Sequence, residues 1–228
     1  MFGYRQPAFI EKISWPHALQ ASFRIIKHTN GMRKTFVIVA ILIAMCFQGC
    51  IVVSIYPFYK EADITYNKSL EGDWVDQDRN NWRIHKNPLK PNSYELHATK
   101  NGREATLLCH LFKLNGELYM DMTPISDNTE EILVFDLHMI PAHSIAKVTE
   151  LTDQAVNIKW FNEERLRTMF TENRIKISHE LIMDQDSKSK DDGIYLLTAS
   201  TEELQKFVTK YGNDESMYDN DLKLQLTK

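Results

Sequence analysis

Two Asn-Gly pairs, Asn101-Gly102 and Asn115-Gly116, limit the fold of this chain more than any other feature. Each falls between segments of strand character: 94–98 alternates as Tyr-Glu-Leu-His-Ala, and 104–114 and 117–123 follow. A type I′ turn needs positive φ at both central residues, which Asn and Gly tolerate best, and its twist matches that of paired strands. Three consecutive strands joined by two such turns make a β-meander. Trp82-Arg83-Ile84-His85, with its own alternation, extends the pattern toward the N-terminus.

Further strands are predicted over 132–140, 144–151 and 155–160. The first is apolar on both faces and suits a central strand or one curled inside a barrel. Asn162 then reads as a helix cap, with Glu163 and Glu164 near the positive end of the dipole and Leu166, Met169 and Phe170 on one face. Strand character returns over 175–183, a charged loop occupies 184–192, and a strand follows over 193–198. Ser200 and Glu203 form a capping box for a second helix. Leu204, Phe207, Val208 and Tyr211 make its buried face, and Gly212 marks its end. Residues 213–228 read as a flexible acidic tail, where the alternation of Leu222, Leu224 and Leu226 is the one hint of an edge strand. The fold class is therefore mainly β: a small antiparallel β-barrel or sandwich with two short helices. The span 71–212 is one domain without internal repeats.

The N-terminal side is different. Arg33 and Lys34 precede the uncharged, mostly apolar stretch 36–47, and Gln48-Gly49-Cys50 closes it. Basic start, apolar centre and small residue are the parts of a secretory signal, here a signal helix over 32–50. Translation is expected to begin at Met32, leaving 1–31 as a start-site artefact or a genuine extension. The uncharged stretch runs on to Ile55, so an uncleaved signal anchor is a second reading and a buried core helix a third. The basic residues Arg24, Lys27, Arg33 and Lys34 keep the N-terminal side cytoplasmic. Residues 51–70 read as a tether, with Tyr56-Pro57-Phe58-Tyr59 at the lipid interface or over one end of the core.

Phe47-Gln48-Gly49-Cys50 resembles the lipobox of bacterial lipoproteins. The resemblance implies cleavage between Gly49 and Cys50, acylation of Cys50 with several chains, and a place in the cell envelope facing away from the cytoplasm. It implies the outer membrane rather than the inner, because Ile51 is not the Asp that retains some lipoproteins inside. Gly72-Asp73-Trp74 resembles the Gly-x-Trp signature of lipocalins, whose Trp closes one barrel end. With Tyr56-Pro57-Phe58-Tyr59, His110-Leu111-Phe112 and Leu197-Thr198-Ala199-Ser200-Thr201, it makes the exported region similar to small envelope lipoproteins of bacteria. A helix at 162–173 departs from lipocalin order, where the long helix comes late.

The whole chain carries a formal charge of −4, and residues 1–50 hold six basic residues and one acidic, so the remainder carries −9. Such a domain repels phosphate backbones, which argues against nucleic acid as a partner. Cys109 is the one cysteine beyond Cys50, so no disulfide framework exists. The sequence contains no Gly-x-Ser-x-Gly elbow, Gly-rich phosphate loop, His-Glu-x-x-His or Cys-x-x-Cys, and no cofactor is implied. His110, His138 and His143, with Asp121 or Asp136, are the weak candidates for a metal or a catalytic centre, and each reads more simply as a core histidine. Trp74, Trp82, Tyr94, Tyr119, Phe135 and Trp160 could line an apolar ligand pocket or simply fill the core. The sequence thus points to a membrane-anchored, non-enzymatic lipoprotein. Its β domain would bind an apolar small ligand or an envelope protein. A metal-dependent or hydrolytic envelope enzyme and a purely structural envelope component are the alternatives.

Overall fold

A computed structural model describes residues 51–100, 102–125, 141–183 and 193–227. Eight antiparallel strands close into a barrel, each bonded to the next in sequence. They are β3 (Gly72–Asp76), β4 (Asn81–Lys86), β5 (Tyr94–Lys100), β6 (Arg103–Leu114), β7 (Glu117–Pro124), β8 (His143–Leu151), β9 (Ala155–Phe161) and β12 (Tyr218–Leu226). The β9–β12 and β12–β3 ladders close the ring. Two short strands, β1 (Val53–Ser54) and β2 (Ile64–Thr65), precede the barrel, and two more, β10 (His179–Ile182) and β11 (Ile194–Leu197), lie inside the last connection.

Local chemistry explains the meander. Asn115 and Gly116 both take positive φ, 51° and 83°, as a type I′ hairpin requires. The register that follows places Leu107, Cys109 and Leu111 on the same face as Leu118, Met120 and Met122. That face is the barrel interior, and large apolar side chains pack together there. Trp74, Ile84, Tyr94, Leu96, Leu111, Met120 and Met122 are no more than 2 % exposed and pack into one cluster with Val156, Ile158, Leu222 and Leu224. Each large side chain buried this way contributes about 1.5–3 kcal/mol.

The connection between β9 and β12 holds two helices, α1 (Glu163–Thr171) and α2 (Thr201–Tyr211), with β10 and β11 between them. Asn162 Oδ1 accepts the Arg165 N–H at 2.8 Å to start α1, and the Ser200–Glu203 capping box starts α2. Both helices bury their apolar stripes, Leu166, Met169 and Phe170 with Leu204, Phe207 and Val208, against the outer face of the barrel. Phe112, Tyr119, Ile145 and Phe161 meet them from β6 to β9. The molecule therefore has two cores, one inside the barrel and one between barrel and helices. The barrel has the next-neighbour order of a lipocalin, but its helices precede the last strand.

Three expected segments come out differently. Residues 51–70 are no loose tether: Ile51 bridges Asn162, β1 pairs with β8 and, in parallel, with β11, and Val52, Phe58 and Leu70 are fully buried. Residues 213–228 are no flexible tail, because β12 supplies the strand that closes the barrel, with Leu222 and Leu224 turned inward. Within 175–183 only His179–Ile182 is strand, while Ile177 packs into the outer core. The strand expected at 132–140, the loop at 184–192 and the whole signal segment lie outside the described residues. Among the described residues no helix is long and apolar enough to cross a membrane.

Candidate functional site

The outer face of β6, β7 and β8 carries a row of buried and half-buried polar side chains. His110 stands directly opposite Asp121 in the β6–β7 register, so the two side chains share that face. Thr123 lies two residues further along β7, and His143 opens β8 beside it. Asp121 is fully buried. Its Oδ1 lies 2.7 Å from His143 Nδ1, and its Oδ2 accepts the Phe58 N–H at 3.0 Å. A carboxylate only accepts, so the proton in this bond sits on Nδ1 of His143, with Thr123 Oγ1 2.9 Å away.

His110 is 7 % exposed under the ring of Tyr59, centroids 4.6 Å apart. Burial lowers its pKa from the ordinary imidazole value, and the attraction of Asp121 opposes that shift without cancelling it. Burial, with the charges of Asp121 and Glu61, pushes the Tyr59 phenol up to about 12. Cys109, next to His110, points the other way into the barrel, where burial raises its thiol well above the ordinary value and leaves it inert.

Residues 57–63 are stitched over this row by α2. Thr201 Oγ1 donates to Pro57 O at 2.8 Å, and Gln205 Nε2 donates to Phe58 O at 3.3 Å and Asp63 Oδ2 at 2.6 Å. Further along β8, Lys147 is 9 % exposed. Its ammonium donates to Gly212 O at 3.1 Å and Asn213 Oδ1 at 3.2 Å, and pairs with Glu117 at 3.2 Å. It fastens the end of α2 to the barrel.

An aspartate that orients an imidazole is two-thirds of a nucleophile-activating triad. Ser54 stands opposite His143 in the β1–β8 register. Its hydroxyl, however, donates to Leu197 O at 3.2 Å and accepts the Tyr56 N–H at 3.2 Å, and the residue is fully buried. The serine is committed to backbone.

The sequence candidates fall in several places. His110 and His143 do meet, around Asp121, while His138 and Asp136 lie outside the described residues. Among the described residues no three His, Cys, Asp or Glu side chains are grouped to hold a metal ion. Trp74 and Tyr94 belong to the barrel interior, and half-buried Trp82 and Trp160 pack against it. Tyr119 belongs to the outer core, stacked on Phe112 at 5.6 Å; Phe135, Gly49 and Cys50 are outside the described residues. Both indoles of the β3–β4 pair are tied down: Trp74 Nε1 donates to Leu70 O at 3.1 Å and Trp82 Nε1 to Asp76 Oδ2 at 3.0 Å. They border a polar surface cavity of about 400 Å³, which Asp73, Arg83, His97 and Glu104 also line.

Sequence reasoning missed the roles of Thr123 and Lys147, and a second cavity of about 450 Å³ between α2 and the segment after α1. Each depends on contacts between segments far apart in the chain, for which no local pattern exists. Comparison with known proteins finds no family model, no curated protein and no solved structure that matches this chain.

Proposed function

We propose that this protein is a bacterial envelope lipoprotein, acylated at Cys50 and facing away from the cytoplasm, whose barrel is a rigid non-enzymatic scaffold that engages an envelope protein through its outer surface. The observation that carries this reading is the packing of large side chains in the barrel interior. Fully buried Tyr94 and Leu111, with Trp74, Met120 and Met122, occupy the space in which a carrier barrel would seat an apolar ligand. The charge of −9 beyond residue 50 leaves nucleic acid an unsuitable partner. The Ile51–Asn162 bridge begins the folded domain one residue after Cys50. An acyl group there would hold the barrel against the bilayer without slack, in keeping with a scaffold that works at a surface.

The test compares wild type with Cys50→Ala by intact mass, membrane partitioning and solvent extraction of the purified protein. The expected result is a wild-type mass of Cys50–Lys228 plus acyl chains, loss of membrane association in the variant, and no further apolar molecule in the extract. An uncleaved chain that stays in the membrane despite the substitution would overturn the lipoprotein reading. A stoichiometric apolar molecule in the extract would replace the scaffold with a carrier.

A further inference from the structure

The cavity between α2 and residues 173–177 gathers positive charge in an otherwise acidic domain. Lys206 and Lys210, one turn apart on α2, form one wall, and Arg174 and Lys176 form the other. Glu203 is the single acidic residue that lines it. All four cations are exposed. Neither Lys176 nor Lys206 has an ion-pair partner among the described residues. Arg174 reaches Glu172 at 3.3 Å, a pair half-exposed on both sides and so of little strength. Like charges lining one cleft repel, and an anion in the cleft offsets that repulsion.

The floor of the cleft is apolar. Phe207 and Ile177 are part of the outer core, with Ile175 and Tyr211 packed against it. Its volume, about 450 Å³, lies in the range of small-molecule sites. One carboxylate would leave most of the cationic wall unmatched. A phosphate spreads its charge over several oxygens, accepts a guanidinium fork in two places and takes ammonium groups around the rest.

From this juxtaposition we propose that the cleft is a binding site for a phosphate-bearing amphiphile, its phosphate between the two cationic walls and its apolar part on Phe207 and Tyr211. The site goes beyond the scaffold role and does not depend on acylation of Cys50. Two sources share the chemistry, an anionic lipid headgroup and a free phosphate compound.

Full-length protein purified in neutral detergent is mixed with phosphatidylglycerol or phosphatidylcholine, and retained lipid is counted by native mass spectrometry. Wild type retains phosphatidylglycerol in preference, and Lys206→Gln with Lys210→Gln lowers that retention about tenfold, the equivalent of one charge-assisted hydrogen bond. Arg174→Gln, on the other wall, lowers it too. Unchanged melting temperatures show that the variants fold. Inorganic pyrophosphate forms the second arm: competition at millimolar concentration assigns the site to free phosphate compounds, and lipid retention without competition assigns it to a headgroup. Equal retention of both lipids with no pyrophosphate binding, or variants that behave as wild type, would overturn the proposal. Retention is expected to be the same in Cys50→Ala, so a failure of the cleft and a failure of the anchor are read separately.

Discussion

Gly212 shows how much one hydrogen atom in place of a methyl decides. It sits at the end of α2 with a right-handed φ of −67°, so the left-handed freedom of glycine is not what the position uses. The need is space. A Cβ there would stand 2.5 Å from the Val208 carbonyl oxygen and well inside contact with Tyr119 Oη. Gly212→Ala is expected to cost about 1–3 kcal/mol in urea unfolding, as overpacked sites do, and Tyr119→Phe in the same chain to recover part of it. His110 gives a prediction in pH. Its folded pKa lies below the ordinary 6.5, so in the window beneath 6.5 the unfolded chain binds a proton that the folded chain does not. Stability is expected to fall as pH drops through that window. A urea titration at several pH values should show the slope diminished in His110→Gln. His110 and His143 stood out in the sequence because they interrupt apolar runs. Their common partner did not, since Asp121 meets them through register alone.

Elements were legible where their signals are local. α1 and α2 begin at the residues that their caps name, and the 115–116 hairpin turns where Asn-Gly requires. β1 and β12 carry no such punctuation. β1 has two residues and exists because β8 and β11 flank it. β12 reads as polar and acidic because its outward positions are polar, while Leu222 and Leu224 face the interior, with Leu226 on the same face opposite Trp74. Its ladders to β9 and β3 make it as much a barrel strand as any other. Ending the chain after Met217 is expected to open both ladders and abolish cooperative thermal unfolding, measured by circular dichroism. A melt unchanged by the truncation would show that the barrel does not need this strand.

At the scale of the molecule, alternation was enough to place the chain among small antiparallel barrels, and the arrangement of its two cores was not readable. Phe112, Tyr119 and Ile145 look like ordinary outward residues until the insertion between β9 and β12 covers them. That insertion reaches back to Lys147 and to the Phe58 carbonyl, which ties both ends of the domain to one face. The seam of the barrel carries a consequence in time. Asp73 O accepts the Thr227 hydroxyl at 2.6 Å across a separation of 154 positions, and β12 follows all seven of its fellow strands in the chain. Contacts this remote in sequence slow folding, because the loop they close must be ordered before they form. The first seven strands therefore wait, with β3 and β9 unpaired along one edge, until the eighth has been made. A chain built this way stays open until its eighth barrel strand has been made, and then shuts in one step.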